Sequence, residues 1–261
     1  MNTPLILITN DDGYAAAGIQ ALTRAVAPLG VIYVVAPDGA RSGAACAITA
    51  TTPVSFREIH HPAYPDSVRL FACSGTPVDC VKLAWDNILP RTPDLLLSGI
   101  NHGDNASISV HYSGTMGAVF EGCMKEIPSI GLSLYLKRGQ RYEDHPVSDD
   151  TFAAITQLCR RVLEQGLPQD VCLNVNLPVA DSFRGWKVCR QARGRWTAEW
   201  ASATNPHGLS AYWLTGQFND LEPEATDTDF SALRAGYASI VPTTIDMTAH
   251  SALRQISKLT N

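Results

Sequence analysis

Three short runs of apolar residues share one design. Leu5 to Thr9 leads into Asn10-Asp11-Asp12-Gly13, Val31 to Ala36 into Pro37-Asp38-Gly39-Ala40-Arg41-Ser42-Gly43, and Leu95 to Leu97 into Ser98-Gly99-Ile100-Asn101. Strands that are apolar at every residue, rather than at alternate ones, are covered on both faces, as in a parallel sheet flanked by helices. Between the first two runs, Gly18 to Leu29 carries Ile19, Leu22 and Val26 at helical spacing, which completes a β-α-β unit. Ligands of such sheets sit beyond the carboxyl ends of the strands, where the three polar segments fall.

Composition narrows the possibilities further. Of 261 residues, 45% are hydrophobic and only 17% charged, against roughly 25% charged in ordinary soluble chains. Disorder is excluded as the main state, and much surface must be buried, within a large sheet or between subunits. A net charge of -5 provides no bulk positive field for a nucleic-acid polymer or an anionic membrane. The seven cysteines are scattered without a C-x-x-C pair, the pattern of reduced thiols and not of a disulfide framework or structural zinc. Met1-Asn2-Thr3-Pro4 lacks the basic flank of a secretory signal. No apolar run approaches the roughly 18 residues of a membrane span, so a cytoplasmic protein is expected.

Three further helices announce their ends. Thr76-Pro77-Val78-Asp79 is a capping box with proline in the first turn, and Ser113-Gly114-Thr115 opens a helix over Met116 to Lys125 in the same way. Asp149 to Gln165 has Ser148 as its cap, Gly166 as its stop and a buried face at positions 152, 155, 159, 162 and 163. After Pro168 short alternating stretches are separated by Gly, Pro and acidic turns, and four of the five tryptophans (186, 196, 200 and 213) lie there. The expected architecture is one α/β domain over 1–261. In it, a Rossmann-like, mostly parallel sheet with helices on both faces fills 1–167, and a β-hairpin and arm extension over 168–261 serves oligomerisation. The tryptophans are expected in packing or a subunit interface.

The chemistry concentrates at the strand ends. Asp11 and Asp12 would point to opposite faces within a strand; in the turn beyond it, with Gly13 relaxing the backbone, both reach one point. Paired carboxylates repel unless one is protonated or a cation lies between them. With Ser42 and Asn101 they form an all-oxygen set suited to Mg²⁺ or Mn²⁺ and not to zinc. Ser113-Gly114-Thr115, at a helix N-terminus, offers hydroxyls and amides to a phosphate, and Gly43 and the loop from Asn101 to Asn105 add further amides. His102 and His111 lie nearby but read as loop or core histidines, not catalysts.

These segments resemble the signature blocks of the SurE (survival protein E) nucleotidases. The matching blocks are Asn10-Asp11-Asp12-Gly13, Arg41-Ser42-Gly43, Gly75-Thr76-Pro77-Val78-Asp79-Cys80-Val81, Ser98-Gly99-Ile100-Asn101 with Gly103 and Asn105, and Tyr112-Ser113-Gly114-Thr115 with Gly117, Ala118, Glu121 and Gly122, in family order. Weaker matches follow at Asn174-Val175-Asn176-Leu177-Pro178, Thr226-Asp227-Thr228-Asp229 and Asp246-Met247-Thr248. Ala225, where the family usually has Gly, and the stretch Gln191 to Trp196 depart from the pattern. The resemblance implies one divalent metal ion per subunit, Mg²⁺ or Mn²⁺, held by Asp11, Asp12, Ser42 and Asn101. It implies hydrolysis of nucleoside 5′- and 3′-monophosphates, with some action on short polyphosphate, in a homodimer or homotetramer. Asn10, Gly43, Asn105, Ser113, Gly114 and Thr115 are the candidate phosphate-contacting residues. Asp11 or Asp12 is the candidate proton acceptor, with a covalent aspartyl-phosphate as the alternative route.

Two other classes compete with this reading. A dinucleotide-binding dehydrogenase shares the β-α-β opening, but no G-x-G-x-x-G follows the first strand and no P-loop occurs. A nucleotide-binding regulator with little catalysis has the same sequence signature as the enzyme, and an activity assay separates them.

Overall fold

The computed structural model describes residues 3–136, 140–179 and 183–260; Met1 and Asn2 of the Met1-Asn2-Thr3-Pro4 stretch lie outside them. In chain order the first half runs β1 (Leu5–Thr9), α1 (Ala17–Val26), β2 (Val31–Pro37), β3 (Phe56–Ile59), β4 (Arg69–Cys73), α2 (Pro77–Leu83), β5 (Leu95–Asn101), α3 (Gly114–Met124), β6 (Ser129–Tyr135) and α4 (Asp149–Gln165). The second half adds β7 (Val171–Pro178), β8 (Trp186–Val188), β9 (Gly194–Thr197), β10 (Trp200–Thr204), β11 (Ser210–Leu214), β12 (Gln217–Asp220), α5 (Asp229–Arg234) and β13 (Ala238–Thr244). Among the described residues no helix is long and apolar enough to cross a membrane.

A nine-stranded sheet in the order β3-β4-β2-β1-β5-β6-β7-β13-β8 forms the centre. From β4 to β7 the strands are parallel; β3 joins β4 antiparallel at one edge and β13 joins β7 antiparallel toward the other. The parallel strands β1, β2 and β5 are buried along their length apart from Val31 at the start of β2 and the half-buried Asn101 at the end of β5, as their continuous apolar runs require. Alternate residues serve opposite faces. Ile6, Ile8, Val34 and Leu97 pack with Ile19 and Leu22 of α1 and Ile155 and Cys159 of α4. Leu5, Leu7, Val35 and Leu96 pack on the other face with Cys80 and Val81 of α2 and Met116 and Val119 of α3. Full burial of each such aliphatic side chain contributes roughly 1.5–3 kcal/mol.

The helix ends lie where the caps place them. Thr76 and Asp79 form the reciprocal capping box of α2, Ser113 caps α3, and α4 spans Asp149–Gln165 between Ser148 and Gly166 at φ +72°. One expected boundary shifts. The stretch 171–177, whose alternation suggests an added hairpin, is an interior strand of the main sheet beside β6. Its polar residues Asn174 and Asn176 are buried, not solvated. They are spent on the Asn105 loop: Asn105 N–H donates to Asn176 Oδ1 at 2.8 Å, and Asn174 Nδ2 donates to the Asn105 carbonyl at 2.8 Å. The sheet therefore continues past residue 167 through β7, β13 and β8. Two small antiparallel pairs, β10–β11 and β12–β9, stand outside it.

The chain proceeds from β1 outward through β2 to β4, then crosses to the other side of β1 for β5, β6 and β7. This reversal leaves a crevice at the carboxyl ends of β1, β2 and β5, the usual ligand position in an open α/β sheet.

Candidate active site

A cleft of about 520 Å³ occupies that crevice, a size within the usual range for small-molecule sites. Asp11, Asp12, Ser42, Gly43, Asn101, Asn105 and Ser113 line it, so the four expected metal ligands and three of the expected phosphate contacts meet in one place. The turn after β1 brings the carboxylates in. Gly13 adopts φ +95°, and a Cβ there would lie 3.2 Å from the Gly39 backbone. Asn10 clamps the turn: its amide donates to the Gly13 carbonyl at 3.0 Å, and Gly13 N–H donates to Asn10 Oδ1 at 3.1 Å. Asn10 is fully buried in this role and does not line the cleft.

Each carboxylate has one oxygen engaged. Thr115 Oγ1 donates to Asp11 Oδ1 at 2.6 Å, and His102 N–H donates to Asp12 Oδ2 at 3.2 Å. Gly114 permits the close approach of α3, since a Cβ there would sit 2.9 Å from Asp11 Cβ and 3.0 Å from its Oδ2. Burial pushes Asp11 up to about 6, the Thr115 hydrogen bond opposing and the Asp12 charge adding to the rise. Burial also raises Asp12, against the influence of His102.

Neutral oxygens complete the set. Asn101 ends β5 with its amide nitrogen donating to the Gly103 carbonyl at 2.8 Å, which leaves Oδ1 for a ligand. Ser42 is exposed on the loop after β2, and Arg41 N–H donates to the Asp11 carbonyl at 2.7 Å, tying that loop to the carboxylate turn. The loop is held from below by α2. Asp79 accepts from Thr49 N–H at 3.1 Å and Thr49 Oγ1 at 2.6 Å, while Thr76 Oγ1 donates to the Ala47 carbonyl at 2.7 Å.

The donor chemistry fits a hard divalent cation. Two adjacent carboxylates, both driven toward the neutral form by burial, share a cleft whose lining contains no lysine or arginine. Among the described residues no group of three or more His, Cys, Asp or Glu side chains gathers as a metal site. The set here has two acids and neutral oxygens, the pattern of Mg²⁺ or Mn²⁺.

Other expected residues divide their roles. Ser113 accepts from Met116 N–H at 3.0 Å as the α3 cap, yet its hydroxyl borders the cleft. The Thr115 hydroxyl is fully buried and committed to Asp11. Asn105 Nδ2 donates to Ser133 Oγ at 2.7 Å, fixing the loop after β5. His102 stacks on Tyr142 at 4.3 Å between ring centroids. Several cleft residues escape sequence reasoning: Asp104, pushed up to about 6 chiefly by burial, and Trp196, Glu199, Leu214 and Thr215 from the β9–β11 region. Trp196 thus faces a ligand site where a packing or interface role was expected. Its only sequence signal is an aromatic between Arg195 and Thr197 in a stretch that departs from the pattern of the signature blocks.

Fold and site together define a Rossmann-like α/β protein with an acidic, oxygen-lined cleft at the strand switch point. The sequence matches the survival protein SurE family over residues 6–198. A 5′-nucleotidase SurE from Phocaeicola vulgatus is 46% identical over 253 residues, covering 97% of this chain and 95% of its own length. Its counterpart from Bacteroides fragilis is 46% identical over 256 residues, covering 97% and 96%. The crystal structure of the SurE protein from Aquifex aeolicus matches with a TM-score of 0.81 and 33% identity over 99% of this chain and 100% of that one. The chain belongs to the SurE family.

Proposed function

We propose that this protein is a divalent-metal-dependent phosphomonoesterase that hydrolyses nucleoside 5′- and 3′-monophosphates to nucleoside and phosphate. The observation that carries this reading is the meeting of the Asp11–Asp12 pair with the N-terminus of α3 in one cleft. The relatives that bear the name 5′-nucleotidase along nearly their whole length support the same reaction.

Asp11, Asp12, Ser42 and Asn101 would hold one Mg²⁺ or Mn²⁺ ion, which when bound neutralises phosphate charge and acidifies water. The first turn of α3, Ser113-Gly114-Thr115, favours the anion through its dipole, and the Ser113 hydroxyl and the Gly43 and Asn105 segments border the same space. Thr115 keeps Asp11 oriented through its 2.6 Å hydrogen bond. Asp12 is less buried than Asp11 and so more open to a bound water, which favours it as the carboxylate that takes the proton of the attacking water. The phosphorus–ester oxygen bond then breaks, and the leaving alkoxide is protonated by solvent.

The β10–β11 pair leaves Trp213 71% and Leu214 70% exposed. So much apolar surface on one hairpin supports a homodimer or homotetramer. The cysteines are all unpaired, which supports a reducing, cytoplasmic setting.

Phosphate release from a panel of nucleotides and polyphosphate, each with Mg²⁺, Mn²⁺ or chelator, tests the reading. Activity on nucleoside monophosphates that disappears with chelator is expected. Nucleotide binding without phosphate release at saturating metal would make the protein a regulator instead.

A further inference from the structure

Part of the cleft lining is contributed by the second half of the chain: Trp196, Glu199, Leu214 and Thr215. Trp196 stands at the end of a chain of rings. It meets Phe218 edge to face at 5.7 Å and 74°, Phe218 lies 4.7 Å from Phe230, and Phe230 lies 5.9 Å from Tyr135, the last residue of β6. The indole is therefore braced from the central sheet. Gly216, at φ +131°, is the residue beside it; a Cβ there would come within 3.1 Å of the indole. A braced, partly exposed aromatic face that borders a small-molecule cleft is a stacking platform for a planar ring.

Glu199 supplies the polar counterpart. Its backbone is fixed, with Thr215 N–H donating to the Glu199 carbonyl at 2.7 Å, and it borders the same cleft as Trp196, three residues away. Among the described residues its carboxylate has no hydrogen-bond or ion-pair partner. An ionised carboxylate accepts hydrogen bonds and donates none. Of the common bases only guanine presents two neighbouring N–H donors, at N1 and the 2-amino group. Adenine and cytosine pair one amino donor with a ring acceptor, and the N–H of uracil is flanked by carbonyls, so each sets a lone pair against the carboxylate. Hypoxanthine keeps N1–H and lacks the amino group.

Resting on the phosphomonoesterase reading above, we infer that the Trp196–Glu199 wall is a base-recognition site that stacks the base on Trp196 and selects guanine nucleotides through the Glu199 carboxylate.

The test compares initial rates of phosphate release from GMP, IMP, AMP, CMP and UMP with Mn²⁺. It pairs them with tryptophan-fluorescence titrations of guanosine and adenosine in chelator, which need no turnover. The expected result is a kcat/KM for GMP at least about tenfold above that for IMP and AMP, carried in KM, and tighter binding of guanosine than of adenosine. A charged hydrogen bond supplies a factor of that size. In Glu199→Gln, at an exposed position, the GMP to AMP ratio should fall to about one, while Trp196→Phe should retain it. Equal kcat/KM for GMP and AMP, or a GMP preference that survives Glu199→Gln, would overturn the inference. A guanosine preference in the titration without phosphate release from any nucleotide would leave the base site standing and refute the phosphomonoesterase reading instead.

Discussion

The Thr115 hydroxyl, fully buried, donates to Asp11 Oδ1 at 2.6 Å and is the side-chain donor that α3 sends to the carboxylate turn after β1. Two elements more than 100 residues apart in sequence are thus joined at the point where a cation would sit. Removing the hydroxyl leaves a buried carboxylate short of a donor. Hydrogen bonds to charged groups are worth roughly 1.5–3 kcal/mol. Thr115→Val should therefore weaken Mn²⁺ binding by roughly tenfold or more in calorimetric titration, and Thr115→Ser should restore most of it. Unchanged affinity in the valine variant would show that Asp11 is held by its backbone alone.

Asp12→Asn removes one of the two charges of the metal site and the proposed proton acceptor together. Turnover should fall on the order of 100-fold, the scale of losing an electrostatic stabiliser. The measurement is phosphate release from AMP at saturating Mn²⁺, so that weaker metal binding does not limit the rate. Near-normal release would refute the assignment.

The parts of this architecture that were legible in the sequence are those set by local chemistry. Ser148 and Gly166 bound α4 because a hydroxyl cap and a left-handed glycine act within a few residues. Leu5–Thr9 reads as a buried parallel strand because its apolar run is unbroken. Asp11, Asp12, Ser42 and Asn101 converge because the strand ends of a doubly wound sheet do so. What was not legible depends on distant partners. Asn174 and Asn176 look solvent-facing until the Asn105 loop, some 70 residues away, is laid over them. Trp196 looks like interface until β9 is found to line the same cleft as Asp12. No periodicity within their own segments carries that information.

Asp79 holds the Ser42 loop from its far end through Thr49 while closing the capping box of α2. Asp79→Ala should cost about 1–2 kcal/mol of stability through the lost cap, readable as a lower midpoint in urea. It should also raise the Kd for Mn²⁺ several-fold, as Ser42 loses its fixed position. Asp79→Asn keeps acceptor capacity and should restore part of both. A stability loss with unchanged metal affinity would confine Asp79 to capping.

The exposed face of β10–β11 predicts a second kind of effect. Trp213→Ser removes a large apolar side chain that is 71% exposed, so a monomer should gain or lose little stability from it. In an assembly built on this hairpin the same substitution should shift the molecular mass toward the monomer in light scattering at micromolar concentration. A mass that matches one chain for the unsubstituted protein would remove the hairpin from assembly altogether.

Asp104 gives the fold a pH dependence of definite sign. Burial, with a smaller contribution from the Asp229 charge, pushes it up to about 6, whereas an unfolded aspartate titrates near about 3.9. The fold therefore favours the protonated form. Its stabilising contribution is complete below about pH 4 and is lost as pH rises through about 6. A displacement of roughly two units corresponds to about 3 kcal/mol at most, and to less where the cleft admits water. Asp104→Asn keeps an acceptor for Ala106 N–H, bonded at 3.2 Å, and cannot ionise. In chelator its Tm should match the unsubstituted protein near pH 4.5 and exceed it by about 4 °C or more at pH 8. Asp11 titrates in the same window but is common to both proteins, so the difference between the two curves isolates Asp104. Parallel curves across that range would mean that Asp104 ionises in the folded protein as freely as in the unfolded one.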